Sequence, residues 1–411
     1  MSIMVNYGQC DYNGKNIIIN REIISPLKKL DTVIFDCDGV LLKTDESYDK
    51  AIQETVNYIF FSILNRKVPP LVSLEDILLM RNTGGFNNDW ELAYAFILYY
   101  FYVISNYLSK RIQVTLPKTL DVREAIGFLP KMLPSLNLVN LAPDKIMSLK
   151  EHSIKDYLSY LDVSGLRTSR KVLYAWAETM VQIQFMQKIE EFLKFQKGLE
   201  LDLVTRVFQE FYLGDLIKKF YNVDSILGVK EGLIGTEKLN GKIEEYRHLK
   251  DLGVVNLAIA SSRPRKEAEF VLKRERIVPD LIDIGASIFL EDIKREEERI
   301  ERQTGQRISL EKPNPAPIIA SLLNMGNVQV LAYVGDTAAD IYAANAAKKI
   351  VKSQLISVGL TAQASNISAL EKKFISLKTD IIVPSISEFI TIIDEIKTGS
   401  SGVLKKCEAL I

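Results

Sequence analysis

Short apolar runs and longer amphipathic segments alternate along much of the chain. The short runs are rich in β-branched and aromatic residues, which is typical of buried strands, and most of the segments between them are long enough for a helix. This alternation predicts an α/β fold with a doubly wound, mostly parallel sheet. The predicted strands lie at 32–35, 254–260, 281–284, 330–334, 355–358 and 381–383.

The first 30 residues have a different pattern. A turn dipeptide, Asn13-Gly14, comes just before an alternating stretch at 16–20. Asn-Gly is a favoured two-residue turn between the strands of a β-hairpin. We therefore expect residues 1–30 to add a hairpin to an edge of the sheet.

Between residues 45 and 232 the strand pattern gives way to long amphipathic segments rich in Leu, Tyr and Lys. Such segments are typical of helices that bury one face. We expect an inserted α-helical domain at 45–232 and an α/β core formed by 1–44 and 233–411. Within the insertion, 92–108 is almost uncharged but short for a membrane span, so we expect a buried helix or a contact between two copies.

Composition indicates a water-soluble globular protein without an affinity for polyanions. The 411 residues are 47% hydrophobic and 25% charged, and 52 Lys and Arg balance 52 Asp and Glu. A chain without net positive charge has no general field to attract nucleic acid or an anionic membrane. These values favour a small molecule as the partner, and they disfavour binding to nucleic acid or to a membrane. Whether the protein forms a homodimer is left open.

Cysteine and histidine are scarce. Three cysteines show no CxxC spacing, so neither a disulfide framework nor a zinc ribbon is indicated, and a reducing compartment is favoured.

The N-terminus lacks the pattern of a signal peptide, so we expect a cytoplasmic protein. With only two histidines, carboxylates are the expected chemical groups.

Acidic residues follow two of the predicted strands. Asp36 and Asp38 come directly after the run at 32–35, and Asp336 and Asp340 come after the run at 330–334. Two carboxylates one residue apart can divide labour, since one can attack or bind a metal while the other transfers a proton. Asp336 and Asp340 are four residues apart, so we expect both on the first turn of a helix, facing the same crevice. Hard oxygen ligands of this kind suit Mg²⁺.

Groups suited to phosphate lie beside the other strands. Ser261 and Ser262 follow the run at 254–260, where hydroxyl and backbone N–H groups can bind phosphate oxygens. Lys312 stands before a proline-rich turn, where its ammonium could neutralise a phosphoryl group. Each feature alone also has an ordinary explanation as a capped turn or a surface lysine.

Taken together and in order, DCDGV at 36–40, SSRP at 261–264, KPNP at 312–315 and GDTAAD at 335–340 resemble the four motifs of the haloacid dehalogenase (HAD) superfamily. The resemblance covers 30–44 and about 236–384. It implies a Rossmann-like core with a helical cap inserted after the first motif. It also implies an aspartyl-phosphate mechanism with Mg²⁺ as cofactor.

The resemblance assigns roles to individual residues. Asp36 matches the nucleophile, and Asp38 matches the general acid/base, whose backbone carbonyl also binds Mg²⁺. Ser261 and Lys312 match the phosphate-binding positions. Asp336 matches the acidic metal ligand, and Asp340 matches the residue that supports it.

A polar loop early in the insertion, 81–90, is the candidate for substrate recognition. In HAD members with a helical cap, a loop at this place contacts the leaving group of the substrate. The alternative is a structural turn between two helices with Asp89 as the N-cap. Arg81, or Arg263 in the second motif, could also bind a second anionic group of the substrate. The candidate substrate contacts are Arg81, Asn82, Gly84, Gly85, Asn87, Trp90 and Arg263.

Asp38 limits the class of reaction that the resemblance allows. HAD dehalogenases attack carbon and lack an acid at this position, whereas phosphoryl transfer from an alcohol needs one to protonate the leaving alkoxide. The expectation is a phosphatase for a small phosphorylated metabolite, with sugar or polyol phosphates favoured because Asn82, Asn87 and Asn88 could bind hydroxyls. A phosphomutase with the same core is the alternative. A receiver-like phosphoacceptor is less consistent with the long insertion and with Asp38.

Overall fold

The computed structural model describes residues 7–12, 14–44, 46–64, 70–86, 88–108, 116, 121–132, 153–362, 364 and 366–400. The chain forms two compact units. One unit consists of Met1–Thr44 and Glu237–Ile411, and the other consists of Asp45–Thr236. We call them the core unit and the helical unit.

The core unit contains a seven-stranded sheet in the order β1-β2-β9-β8-β7-β3-β6. Its five strands from β9 to β6 are parallel, while β1 and β2 form an antiparallel hairpin that joins β9. The expected α/β fold with a mostly parallel sheet is therefore confirmed, as is the hairpin, although Asn13 lies outside the described residues. The strands are β1 (Tyr7–Tyr12), β2 (Lys15–Asn20), β3 (Thr32–Phe35), β4 (Leu42–Lys43), β5 (Lys238–Leu239), β6 (Asn256–Ile259), β7 (Val330–Gly335), β8 (Gln354–Leu360) and β9 (Ile381–Val383).

Helices connect the parallel strands. Strands of a parallel sheet are buried because helices cover such a sheet on both faces. All residues of β3 and β7 are buried. The short strands β4 and β5 form a separate antiparallel pair. The described helices are α1 (Ile24–Leu27), α2 (Tyr48–Leu64), α3 (Leu74–Asn82), α4 (Asp89–Leu108), α5 (Val122–Met132), α6 (Ile154–Ser159), α7 (Leu166–Trp176), α8 (Met180–Leu193), α9 (Leu203–Leu213), α10 (Leu216–Tyr221), α11 (Ile243–Asp251), α12 (Arg265–Arg274), α13 (Leu290–Thr304), α14 (Ala316–Met325), α15 (Ala338–Ala347), α16 (Ile367–Ser376) and α17 (Ile386–Thr398).

The strand predicted at 281–284 is wrong. The segment runs beside β6 and forms a turn, in which the Asp283 carboxylate accepts hydrogen bonds from the backbone N–H groups of Gly285 and Ala286 at 2.8 and 3.1 Å. Asp and Asn side chains that bind nearby backbone amides favour turns over strands. Ile282 is buried in the core, so the apolar pattern was produced by a packed loop.

The helical unit contains no strand in its described part. Helix α4, which includes the apolar segment expected to be buried, is buried from Leu92 to Ser105. No helix in the described ranges is long and apolar enough to cross a membrane. Helix α4 starts after Asn88, whose side chain accepts a hydrogen bond from the backbone N–H of Trp90 at 2.9 Å, so Asn88 occupies the capping position considered for Asp89.

A buried ion pair anchors the C-terminal part of the helical unit. Arg206 and Glu210 lie one turn apart on α9, with Nε and Oε1 3.0 Å apart and almost no exposure of either side chain. Glu210 also accepts hydrogen bonds from Ser225 Oγ and the backbone N–H of Ile226, at 2.7 and 2.8 Å. The pair therefore fixes the segment after α10 against α9.

We expect Glu210→Gln to destabilise the helical unit strongly, because it leaves the Arg206 guanidinium buried without a compensating charge. Breaking one partner of a buried pair costs about 3–5 kcal/mol. The free energy of unfolding in urea, followed by circular dichroism, measures this cost. Lys218→Ala, which removes an exposed ion pair with Asp224 in the same unit, should change the midpoint little. Equal midpoints for the two variants would contradict this account.

Candidate active site

The candidate residues of the core unit lie where its central strands end. Strand β3 lies between β6 and β7, and all three are parallel. The carboxyl ends of parallel strands meet at one edge of the sheet, and that edge is where ligands bind in open α/β sheets. Asp36 follows β3 and Asp336 follows β7. Carboxylate oxygens of Asp36, Asp336 and Asp340 lie within 4.8 Å of one another.

Gly39 allows Asp336 to approach the loop after β3. Its backbone is in the left-handed region, with φ at +75°, which residues with a side chain rarely adopt. A Cβ atom at this position would lie 1.9 Å from Oδ2 of Asp336. Glycine is therefore needed here both for the backbone turn and for the close approach of the carboxylate.

Lys312 links two of the acids. Its Nζ lies 2.8 Å from Oδ1 of Asp36 and 2.6 Å from Oδ1 of Asp340. A third contact, at 3.2 Å, joins Nζ to the hydroxyl of Tyr333. An ammonium group has three N–H bonds, so these contacts can engage all of them. Lys312 is thus fixed at the centre of the acidic cluster rather than exposed on the surface.

Asp340 is held more tightly than the sequence suggested. One oxygen binds Lys312 and the Tyr333 hydroxyl, and the other accepts hydrogen bonds from the backbone N–H and the hydroxyl of Thr337, the N-cap of α15. Asp340 lies on the first turn of α15 as predicted. Asp336, however, precedes Thr337 and is outside the helix, so the expectation that both acids lie on that turn is wrong for Asp336.

Tyr333 is a site residue that sequence analysis missed. Its hydroxyl donates to Asp340 Oδ1 at 2.9 Å, and its ring is fully buried. In the sequence it is one aromatic residue in an apolar strand, and nothing in that pattern separates it from an ordinary core residue.

Burial and charge act against each other in this cluster. Burial raises the pKa of the Asp36 carboxyl, and the Lys312 ammonium opposes this rise. For Asp340, burial also acts to raise the pKa, but Lys312 and the hydrogen bonds from Thr337 and Tyr333 hold it below its ordinary value. The two carboxylates in turn raise the pKa of Lys312 well above its ordinary value, although burial opposes this. The site therefore keeps a permanent positive charge beside Asp36.

Asp38 lies in a different electrostatic environment. One oxygen lies 2.5 Å from the guanidinium of Arg263, whose other nitrogen lies 2.6 Å from Glu237. Arg263 and Glu237 side chains are 0% exposed, whereas that of Asp38 is 30% exposed. Burial raises the pKa of Asp38 to about 7, with Arg263 opposing the rise and Glu237 and Asp36 adding to it. A carboxyl with this pKa can both give and take a proton near neutrality.

The two serines have different surroundings. Ser261 is buried, and its hydroxyl accepts a hydrogen bond from the backbone N–H of Arg263 at 3.3 Å. Within the described part of the chain, the buried hydroxyl oxygen of Ser262 has no hydrogen-bond partner. Ser262 therefore has a hydroxyl close to the strand end that could bind a ligand. The phosphate-binding role of both serines stays a prediction.

The candidate substrate loop lies in the helical unit. Arg81 pairs with Asp49 and with Asp89, the latter at 2.5 Å, so its charge is already compensated within that unit. Gly85 packs its backbone against Gly165, where a Cβ atom would have no room. Gly84 has φ at +78° and Asn82 is exposed at the end of α3. Asn87 lies outside the described residues.

Arg263 also differs from the expectation of a substrate contact, since it is buried and paired with Asp38 and Glu237. Trp90 is partly buried in the first turn of α4. Substrate binding by the loop and by Arg263 stays a prediction. Glu237, which the sequence analysis did not select, is the second newly found site residue.

The three-carboxylate cluster is compatible with a divalent metal ion. Asp36, Asp336 and Asp340 provide hard oxygen donors close enough to share one ion, which suits Mg²⁺. Lys312 already compensates part of their negative charge. A divalent ion would compensate the rest. The expected contribution of the Asp38 backbone carbonyl stays a prediction.

Comparisons with known proteins give only distant similarities. No protein-family model and no curated protein matches the chain. A phosphatase, Tt82 from Thermococcus thioreducens, has 17% identity and a TM-score of 0.44, and the alignment covers 84% of this chain and 98% of that one. A hydrolase from Pseudomonas syringae has 14% identity and a TM-score of 0.38, with 89% and 99% covered. Similarity at this level supports no inference about the present chain.

We expect Gly39→Ala to weaken the binding of Mg²⁺ by at least about tenfold, because the new methyl group displaces the Asp336 carboxylate from the cluster. A tenfold loss corresponds to about 1.4 kcal/mol. Isothermal titration calorimetry with MgCl₂ measures the affinity. The matched control is Gly305→Ala, which also places alanine at a positive φ, +70°, but meets no described atom within 4 Å. Unchanged affinity in Gly39→Ala would contradict the proposed metal position.

Proposed function

We propose that this protein is a Mg²⁺-dependent phosphatase that hydrolyses a small phosphorylated metabolite through an aspartyl-phosphate on Asp36. The observation that carries the proposal is the pairing of Asp36 with Lys312 beside Asp336 and Asp340, at the carboxyl edge of a parallel sheet. This arrangement offers a nucleophile, a fixed cation and a place for a divalent ion within a few ångströms. The order of the four motifs in the sequence supports the same chemistry.

Asp36 attacks the phosphorus atom in the first step. Lys312 fixes its carboxylate at 2.8 Å and offsets the repulsion between that carboxylate and an incoming phosphate dianion. Phosphoryl transfer gains mostly from such positioning and charge neutralisation. As the bond from phosphorus to Asp36 forms, the bond from phosphorus to the leaving oxygen breaks.

Asp38 handles the proton in both steps. Protonated, it gives its proton to the leaving alkoxide, and the resulting carboxylate then takes a proton from the water that attacks the aspartyl-phosphate. This attack breaks the bond between phosphorus and Asp36, releases inorganic phosphate and restores both carboxyl groups. The pKa of Asp38, raised to about 7, suits a group that must change protonation state in each step.

Asp36, Asp336 and Asp340 would hold the divalent ion. When bound, Mg²⁺ supplies positive charge that stabilises the negative charge of the transferring phosphoryl group. Lys312 keeps Asp340 ionised and oriented, and Thr337 fixes its second oxygen. Ser261 and Ser262 would bind phosphate oxygens through hydroxyl and backbone N–H groups.

Asp38 favours a phosphatase over a receiver-like phosphoacceptor, because an adjacent acid/base shortens the lifetime of the phosphoaspartate that a receiver must keep. A phosphomutase uses the same core residues and differs in whether water or a second substrate accepts the phosphoryl group. We favour sugar or polyol phosphates as substrates because Asn82 and Asn88 could bind hydroxyl groups. Product analysis distinguishes hydrolysis from transfer.

The test is phosphate release from a panel of phosphomonoesters at saturating Mg²⁺. We expect Asp36→Asn to lower kcat by at least about 10⁴-fold, since an amide cannot form the covalent intermediate. Removal of Mg²⁺ with EDTA should abolish release, and added Mg²⁺ should restore it. Asp251→Asn, which changes an exposed acid at the end of α11, is the matched control and should retain full activity.

The opposite outcomes are equally informative. Release that persists in folded Asp36→Asn would reject the nucleophile. A wild type that converts one phosphomonoester into another without releasing phosphate would support the mutase instead. A phosphoenzyme that outlasts many assay times would support the receiver-like alternative.

A further inference from the structure

We infer that Arg263 is a positioning residue, anchored by Glu237, that fixes the carboxylate of Asp38 for proton transfer. The inference rests on the proposed phosphatase function and concerns how that site is organised. It gives Arg263 a role other than direct contact with the substrate. The three residues, Asp38, Arg263 and Glu237, are called the acid clamp below.

The geometry of the acid clamp is a guanidinium between two carboxylates. Nη1 of Arg263 lies 2.5 Å from Oδ1 of Asp38, and Nη2 lies 2.6 Å from Oε2 of Glu237. A guanidinium is planar and donates along fixed directions, so a partner bound to it is oriented as well as attracted. Glu237 fixes the plane of Arg263, and Arg263 in turn fixes Asp38.

Backbone hydrogen bonds support the acid clamp. The backbone N–H of Arg263 donates to Ser261 Oγ, and its carbonyl accepts from the backbone N–H of Leu290 at 3.1 Å. Arg274 of α12 donates to the backbone carbonyl of Glu237. Both ends of the clamp are therefore held by the sheet edge and by helices of the core unit.

Exposure differs sharply among the three members. Arg263 and Glu237 side chains are 0% exposed, while Asp38 is 30% exposed. A fully buried ion pair is a costly way to stabilise a fold, because desolvation can exceed the attraction between the charges. The acid clamp instead presents one accessible carboxylate on a buried, charged support. This is the arrangement expected for a group that must meet a substrate in one orientation.

Loss of the Arg263 charge would leave two carboxylates facing each other. Asp38 and Glu237 then repel, and the exposed one, Asp38, is free to turn away from its working position. The nucleophile has its own cationic partner, since Lys312 Nζ lies 2.8 Å from Oδ1 of Asp36. We therefore expect the defect to affect proton transfer to the leaving group and not the attack by Asp36.

A double-mutant cycle with two classes of substrate tests the acid clamp. The proteins are wild type, Asp38→Asn, Arg263→Gln and the double variant, assayed by kcat/KM with an alkyl phosphate and with p-nitrophenyl phosphate. General acid catalysis contributes typically 10²–10⁴-fold, and it matters least for a leaving group that is already acidic. We expect Arg263→Gln to lower kcat/KM about 100-fold for the alkyl ester and less than about 10-fold for the aryl ester.

The double variant gives the decisive result. If Arg263 acts through Asp38, adding Arg263→Gln to Asp38→Asn should cause less than about a 3-fold further loss, since independent residues would instead multiply their effects. Equal losses for both esters in Arg263→Gln, or multiplied losses in the double variant, would overturn the inference. Arg263→Lys retains the charge but cannot bridge two carboxylates, so it should recover part of the alkyl-ester activity.

Controls separate this inference from the proposed function. Arg265→Gln removes a neighbouring arginine that pairs with Asp292 at 2.7 Å, and it should leave the ratio of the two substrates unchanged. If Arg263→Gln does not fold, the same cycle with Arg263→Lys decides. A wild type without Mg²⁺-dependent phosphate release rejects the proposed function. An active wild type with multiplied losses in the cycle rejects only the acid clamp.

Discussion

The candidate site depends on one buried cation. Lys312 is held between Asp36 and Asp340, and without it the edge of the sheet would bury neighbouring carboxylates without compensation. Carboxylates that are buried next to each other tend to take up protons. A protonated acid is a poor nucleophile and a poor metal ligand. The Lys312 ammonium therefore sustains both proposed uses of these acids. Tyr333 contacts both Lys312 and Asp340, and Thr337 binds the other oxygen of Asp340.

Two neighbouring carboxylates are given different properties by different cations. Asp36 faces Lys312, whereas Asp38 faces Arg263, which Glu237 also binds. Cys37, which lies between the two acids in the chain, is buried. A nucleophile and a proton donor can thus lie one residue apart without sharing a partner. This separation is the physical basis of the proposed two-step reaction.

Sequence alone predicted the part of the site that strand ends determine. Asp36, Asp336 and Ser261 follow apolar runs, and parallel strands bring those ends to one edge. Glu237 could not be predicted from strand ends, because it belongs to no strand-end motif. Its partner Arg263 is distant from it in the sequence, so the pairing becomes visible only in the structure. Tyr333 was hidden for the opposite reason, since its position in β7 looks like ordinary core. The false strand at 281–284 shows the same limit, as buried loops and strands share an apolar composition.

In the proposed reaction, Asp36 carries the phosphoryl group. Acid quenching during turnover, followed by proteolysis and mass spectrometry, tests it directly, because an acyl phosphate formed in the reaction is captured on its own peptide. We predict one added phosphoryl group on the peptide that contains Asp36, present with substrate and Mg²⁺ and absent without either. Phosphate release with no labelled peptide, or with the label on another residue, would contradict the account.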